Sequence, residues 1–432
     1  MMEYIALSIP VFFILIGVEY VLSLIQRRAL YRLNDSVNDL SMGIIDQVGG
    51  AFVNTLLFAG YLYVWKNWRV FDMGAANIWD WRGFPWWVWV SCFIAKDFMY
   101  YWAHRMSHEM NLGWATHIVH HQSEEFNLSV ALRQGVFQGF FFWIFFIPLA
   151  FVGFPPTVYL VCSQFNTIYQ FWIHTRTIGK LGFLEWFLNT PSHHRVHHGR
   201  DPKYIDRNHG GVLIIWDRLF GTFQEEEEEP NYGLVSPLRS WNPIWGQVHY
   251  FVKLAKLSYA APYWTDKIRV WFAAPAWKPR GLEQGVPSQK LWEQGVLTKY
   301  DTHVPRVLKG YVFVHFVIAT LLALGFMQAE ADNLWLQRAL LAGLIFWSLL
   351  SFGGILELRK WVPLVESLRL IIGGTVVMLW GHALLGMPML ADVRVRAAMV
   401  AFCALSLLPI LFYRKQFTNE GPECLPMPQE VA

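Results

Sequence analysis

Apolar residues along this chain neither alternate in twos nor form a narrow helical stripe; they run on for whole segments, with charges kept to the flanks. A helix needs about 20 mostly apolar residues to cross a bilayer. Nine stretches fit, at roughly 4–25, 42–64, 84–102, 135–152 and 156–173, then, beyond a long polar interval, at 307–328, 335–357, 367–389 and 395–413. The pattern predicts an all-α, polytopic integral membrane protein with about nine transmembrane helices. It divides the chain into an N-terminal membrane anchor and loop (1–41), a larger domain (42–250), a polar connector (251–306) and a C-terminal four-helix membrane region (307–432). The first stretch has no basic residues before it and is followed by Arg27, Arg28 and Arg32. It therefore reads as a reverse anchor rather than a cleaved leader.

Lys and Arg near span ends mark the cytoplasmic side. Arg27, Arg28 and Arg32 place the loop after the first span inside, and counting forward puts residues 103–134 and 175–306 in the cytoplasm. Arg359, Lys360, Arg414 and Lys415 agree with that orientation, whereas Lys66, Arg69, Arg82, Arg394 and Arg396 fall on the outer side.

Composition sharpens this picture. Only 16% of the 432 residues are charged while 54% are hydrophobic and 17% aromatic, against roughly 25% charged in a soluble domain. Tryptophans at 65, 68, 79, 81, 86, 87 and 89 flank the second and third spans as an interfacial belt. A net charge of +3 with no polybasic run excludes a nucleic-acid partner. Cys92, Cys162, Cys403 and Cys424 show no CxxC spacing, which removes iron–sulfur clusters, thiolate zinc and covalent haem. The run Glu225 to Glu229 reads as a solvated loop.

The histidines carry the chemistry. Ten of the fifteen lie between residues 104 and 198. His104 and His108 are spaced i, i+4, while His117, His120 and His121, and again His194, His197 and His198, are spaced i, i+3, i+4. On a helix such offsets bring side chains together. Converging imidazoles would repel one another if protonated, and a shared metal removes that conflict because it binds neutral imidazole. A catalytic zinc takes three protein ligands and a structural one four, so eight or more ligands imply two ions. Imidazole suits iron, copper, nickel and zinc alike. Placement favours a pair of irons that activates dioxygen, because His104 and His174 directly follow apolar spans and a lipid chain can reach them. Asp97 lies seven residues before His104 on the same helical face, inside an apolar span where an ionisable group is functional by default. Glu109, Glu124, Glu125, Asn127, Asp206 and Asn208 are weaker candidates for holding the imidazoles.

With these residues in view, the chain resembles the fatty acid hydroxylase superfamily of membrane di-iron enzymes, whose signature is three histidine boxes. They read HRMSH (104–108), HIVHH (117–121) and HHRVHH (193–198), within flanks DFMYYWAHR, FNTIYQFWIHT and IDRNHGGVLIIWDRLFGTF. The resemblance covers about residues 40–250. It implies metal ligands at His104, His108, His117, His120, His121, His194, His197 and His198, with His174 as a ninth and His193 outside the set. Within the superfamily, HRMSHE with Glu109, SEEFNLSVALRQG, YGLVSP, SWNPIWGQ and the further C-terminal spans are similar to the branch that cleaves glyceryl ether lipids with tetrahydrobiopterin. Where that family usually has Asn-Tyr-Gly after the third box, this chain has Asn208-His209-Gly210. His209 is then either an added ligand or, with Asn208, a cofactor or substrate contact.

The activity so implied is a di-iron monooxygenation at the carbon next to the ether oxygen of an alkylglycerol lipid, giving an aldehyde and a glycerol derivative. Asp97 and Glu109 are its candidate catalytic carboxylates. The reaction needs a lipid substrate, O2 and an external electron donor, a pterin or a redox protein, since the chain has no GxGxxG fingerprint. Hydroxylation or desaturation of a sterol, carotenoid or fatty acyl chain uses the same metal site. A metal transporter or sensor is the non-enzymatic alternative, and would place its ligands near the bilayer midplane on broken helices.

Overall fold

A computed structural model describes residues 4–73, 81–282, 288–295, 297–328, 335–385 and 388–419. Cys424 lies outside the described residues. Among these, the chain is helical, with isolated bridges in place of strands. In chain order the helices are α1 (Tyr4–Ile25), α2 (Leu33–Trp68), α3 (Trp86–Glu109), α4 (Asn111–His117), α5 (Gln138–Val152) and α6 (Pro156–Trp172). Then come α7 (Pro191–His197), α8 (Ile215–Phe220), α9 (Pro243–Ala260), α10 (Trp264–Phe272) and α11 (Ser288–Glu293). The chain closes with α12 (Arg306–Gln328), α13 (Trp335–Leu356), α14 (Val362–Leu385) and α15 (Val393–Phe412).

Each predicted apolar stretch overlaps a helix, but among the described residues six have the length and apolarity to cross a membrane: α1, α2, α12, α13, α14 and α15. The other three lie packed among them. α5 has 15 residues, about 22 Å at 1.5 Å per residue, short of the ~30 Å hydrocarbon core. α6 has 17 residues. α3 is long enough, but carries Lys96, Asp97 and the first histidine box.

α2 begins at Leu33 rather than near 42, and it runs for 36 residues. Its first turns are polar, yet Asn34, Asp35, Asn38 and Asp39 are buried. They face protein, not lipid: Asp39 pairs with Arg133 at 3.0 Å, and Asn38 donates to the Trp241 carbonyl at 2.7 Å. A hydropathy reading stops where the polar residues start, which is why it misses this end.

α5 and α6 form a hairpin. Gly153 closes α5 at φ 120° with its N–H on the Leu149 carbonyl, and a Cβ there would stand 2.1 Å from the Phe71 carbonyl oxygen. Only glycine fits that backbone. Pro155 and Pro156 then start α6, with Pro156 at the first helical position. α9 and α10 pack over α4, and α8 over α3, as a cap on one end of this bundle. α9 starts at Asn242, whose side chain accepts from the N–H groups of Ile244 and Trp245 at 3.0 Å. The C-terminal four helices share an apolar core with α2, in which Val37, Ile45 and Val48 pack among Leu308, Val312, Phe326, Leu349, Phe352 and Ile355. Glu357 joins them to the cap by accepting from Ser240 Oγ at 2.7 Å and from the Trp241 N–H.

Candidate metal centre

The end of α3, α4 with the turn after it, the end of α6, and α7 converge beneath the cap. They bring nine buried imidazoles into two groups. His104, His108, His117, His121 and His197 form one, and His120, His174, His194 and His198 form the other; within each group the ligand atoms lie within 4.8 Å of one another. The boxes do not map one to one onto the groups. Members spaced i, i+4 stay together, while His120 and His197, each three residues after a box-mate, cross to the other group.

Ring orientation follows from the outward nitrogens. Nδ1–H of His104 donates to the His209 carbonyl at 2.8 Å and that of His120 to the Arg133 carbonyl at 2.8 Å. His174 Nδ1 donates to the Gln170 carbonyl at 2.7 Å, His197 Nδ1 to the Arg207 carbonyl at 2.9 Å, and His117 Nδ1 to Gln138 Oε1 at 2.7 Å. His108 Nδ1 stands 3.4 Å from the Asp206 carboxylate. Bonds of this kind fix the tautomer and turn the Nε2 lone pair inward.

The inner atoms then have no proton between them. His104 Nε2 lies 3.0 Å from His117 Nε2, and His174 Nε2 lies 3.1 Å from His120 Nε2. All four of these rings spend their proton at Nδ1, so each pair sets two acceptors against each other. Nε2 of His108 and of His197 are buried with no hydrogen-bond partner. A cation resolves every one of these contacts. Ligand nitrogens at about 2.0–2.1 Å from a metal stand roughly 2.9–3.4 Å apart, which matches the Nε2 pairs His104–His117 at 3.0 Å and His117–His121 at 3.3 Å in one group and His174–His194 at 2.9 Å and His120–His198 at 3.1 Å in the other. The donor set therefore fits metal ions, and all-imidazole ligation is compatible with iron.

Burial keeps these rings neutral. It pulls His120 down to about 4 and His197 down to about 3, and it holds His121 and His198 well below the usual imidazole range, reinforced by their neighbouring rings. Neutral imidazole is the form a metal binds. Trp114 lies 4.9 Å from His108 and Phe126 5.0 Å from His198 between ring centroids, so apolar walls back both groups.

The remaining predicted residues fall elsewhere. Asp97 touches no imidazole. It accepts from the N–H groups of Val212 at 2.8 Å and Leu213 at 3.1 Å, from Trp216 Nε1 at 2.9 Å and from Asn166 Nδ2 at 2.7 Å. It thus anchors the segment that follows His209, whose carbonyl holds His104. Glu109 pairs with Arg105 at 2.8 Å on a partly exposed surface, because the i, i+4 cation is nearer than any ligand. Asn208, at φ 56°, uses its amide internally, donating to the His193 and Gln224 carbonyls at 3.0 and 2.7 Å and accepting from the Gln224 N–H at 2.9 Å. That leaves no group of Asn208 free for a cofactor.

His209 stands beside the five-imidazole group, 5.1 Å from the His108 ring, with Nδ1 buried and unpartnered. His193 lies outside both groups, against Phe223. Glu125 pairs with Arg32 at 3.1 Å and Lys299 at 2.8 Å, Glu124 accepts from the Tyr300 N–H at 2.6 Å, and Asn127 donates to the Leu30 carbonyl at 2.7 Å. These three tie the second box to the rest of the fold.

Sequence reasoning missed Gln138, which holds His117, and Asp217, which accepts the N–H groups of His209 and Gly210, both at 2.7 Å. It also missed a buried chain under the centre. Lys96 Nζ donates to Asn166 Oδ1 at 3.1 Å, Gln170 Nε2 to the same oxygen at 2.9 Å, and Tyr100 OH to Gln170 Oε1 at 2.6 Å. The available signal was a Lys, an Asn and two Gln inside apolar stretches.

An all-helical membrane protein that gathers buried imidazoles into two cation-ready groups at its helix ends is a membrane non-haem metalloprotein. The Fatty acid hydroxylase family model matches residues 89–222, which include every histidine of both groups. The chain is 39% identical to alkylglycerol monooxygenase of Xenopus tropicalis over 375 residues, 86% of this chain and 81% of the relative. It is 40% identical to alkylglycerol monooxygenase of Homo sapiens over 378 residues, 85% and 81% respectively. An ornithine lipid hydroxylase of Rhizobium tropici is 31% identical over 138 residues, 30% of this chain and 40% of that one. No solved structure matches. The chain belongs to the fatty acid hydroxylase family. It is an integral membrane oxidoreductase, a lipid monooxygenase that acts on a lipid with O2 at a histidine-lined metal site.

Proposed function

We propose that the chain is a di-iron alkylglycerol monooxygenase, oxidising the carbon next to the ether oxygen of a glyceryl ether lipid. The observation that carries this reading is the pair of adjacent imidazole groups with opposed Nε2 lone pairs, set at the ends of α3 and α6 and on the short helices beside them. Similarity to the alkylglycerol monooxygenases along most of the chain supports the substrate class. A transporter would place its ligands near the midplane, whereas these sit at helix ends under a cap.

The five- and four-imidazole groups would each hold one iron, with His209 as an additional contact on the first. Bound iron supplies the activation of O2 and the attack on the C–H bond. The chain orients six of the nine neutral rings, His104, His108, His117, His120, His174 and His197, through partners at Nδ1, and it backs the two groups with Trp114 and Phe126. One oxygen atom enters the lipid as hydroxyl and the other leaves as water, at the cost of two electrons and two protons. The hydroxylated ether is a hemiacetal, which breaks its C–O bond to give an aldehyde and the glycerol alcohol. The electrons come from outside the chain, with tetrahydrobiopterin as the proposed donor.

In this reading residues 42–250 are the catalytic domain, 1–41 its anchor, 251–306 a connector and 307–432 an accessory membrane region. α3, α5 and α6 complete nine membrane helices, and the cap faces the cytoplasm, as Arg27, Arg28 and Arg32 favour. Lipid mass spectrometry on membranes incubated with iron-loaded protein, O2 and either tetrahydrobiopterin or a reduced redox protein tests the chemistry. Alkylglycerol should fall as fatty aldehyde appears. Loss of a sterol or fatty acyl substrate with alkylglycerol untouched would overturn the substrate. Impermeant thiol labelling of Glu227→Cys and Asp72→Cys tests the orientation, with only the latter reacting in intact cells.

A further inference from the structure

The hairpin of α9 and α10 is built inside out for a polar connector. On α10, Trp264, Ile268 and Phe272 repeat every four residues and so share one face, and they are 72%, 55% and 59% exposed. The opposite face, with Asp266 and Val270, is the buried one. Tyr259, in the last turn of α9, is 87% exposed. Facing water, a stripe of this size is an aggregation liability; facing the headgroup region of a bilayer, it is an anchor.

Charge says which bilayer. Residues 251–280 carry Lys253, Lys256, Lys267, Arg269, Lys278 and Arg280 against Asp266 alone. Asp266 is itself neutralised by Arg280, at 2.9 Å. Aromatic residues on one face with cations around them are the pattern that binds an anionic leaflet. The hairpin is also at the right level. Phe251 of α9 packs edge-on against Phe137 at the start of α5, 5.5 Å between centroids, and α5 continues into exposed Phe140 and Ile144. α9 therefore crosses the bundle where α5 meets the membrane surface.

We propose that α9 and α10 form an interfacial foot that binds the headgroups of anionic phospholipids, with Trp264, Ile268 and Phe272 in the acyl boundary. The foot is strapped to the metal centre. The Asn111 N–H donates to the Ala273 carbonyl at 2.8 Å, its side chain to the Val270 carbonyl at 2.9 Å, and Tyr250 OH to Asn111 Oδ1 at 2.7 Å. Asn111 opens α4, which ends at the metal-group residue His117. Lipid composition at the surface thereby reaches the segment that carries a ligand.

The inference rests on the membrane reading of the chain and not on its substrate, so its test needs no turnover. Full-length protein carrying a spin label at Trp264→Cys, or at Glu227→Cys as an aqueous reference, is reconstituted into phosphatidylcholine vesicles with and without phosphatidylglycerol. Position 264 should collide with lipid-dissolved oxygen severalfold more than position 227, and more so with phosphatidylglycerol present. Adding Lys256→Glu and Arg269→Glu should remove the phosphatidylglycerol effect while bound metal per chain stays unchanged, which certifies the fold. Equal access of a water-soluble nickel chelate to both positions would overturn the foot. Identical oxygen collision in the two vesicle types would overturn its lipid preference, and spin–spin broadening at position 264 would assign the face to a second copy of the chain.

Discussion

The two helical bundles of this protein both bury polar side chains, but they do so in opposite ways. In the C-terminal bundle one polar network, centred on Arg369, satisfies itself. Glu366 takes Arg369 at 2.6 Å and Tyr311, Arg369 reaches Ser348 Oγ at 3.2 Å and His315 Nδ1 at 3.3 Å, and His315 Nε2 meets Ser406 Oγ at 3.0 Å. In the N-terminal bundle the outer nitrogens of His104, His117, His120, His174 and His197 are paired, while inner nitrogens face other acceptors or nothing. A closed network holds helices together, whereas an open one waits for a ligand. Imidazole occurs in both, so the residue type alone does not separate structure from function; the unmet valence does.

Replacing His197 by Ala removes one ligand from the five-imidazole group, and His198→Ala does the same to the other. Each change should abolish turnover and roughly halve bound iron, read by elemental analysis, because one group of ligands remains in each variant. If either variant kept its full metal, the two-group assignment would fall. Gln138→Leu leaves the ligand in place but takes the acceptor from His117 Nδ1. A loss of about 10–100-fold in metal affinity is expected, measured by competition with a chelator. Asp97→Asn acts one step further out, through the segment that presents the His209 carbonyl to His104. It should cost less than Gln138→Leu in metal affinity, and an equal or larger loss would mean that Asp97 acts on the metal more directly than its contacts indicate.

The closed network gives the opposite signature. Glu366→Gln strands Arg369 in the bundle and should cost about 3–5 kcal/mol of stability, seen as a lower unfolding temperature in detergent, with iron per folded chain unchanged. Glu109→Gln removes only a surface pair worth at most about 1 kcal/mol. Activity and metal content should both stay at the parent level.

Box spacing makes eight of the nine imidazoles legible in the sequence, since such patterns beside apolar spans have few other uses, while His174 stands alone and is implied only by the resemblance. Their division was also present, in that i, i+4 partners share a group and the i+3 member crosses over, but a helical-face argument pools all three. Asp97 stood out as a charge in an apolar stretch, yet nothing local says that its partners lie past residue 210. Asn208 looked like a ligand contact because Asn in a polar loop is ambiguous until its backbone angle is known. The start of α2 was hidden for the reverse reason: hydropathy treats Asn38 and Asp39 as facing water, and here they face Arg133 and Trp241.

The imidazoles of each group come from segments far apart in the chain, and their outer partners extend to Arg207 and His209. That spacing sets an order of events during synthesis. His104 and His117 are made before α5 and α6, whereas His194, His197 and His198 follow both helices. Neither group can close until residues to about 209 have emerged, by which time all of α1 to α6 has been made. Metal loading is therefore a late step, and on the nine-span reading it reports on correct insertion: a chain in which only one of α5 and α6 crosses the bilayer presents two half-sites on opposite faces, and neither can retain an ion.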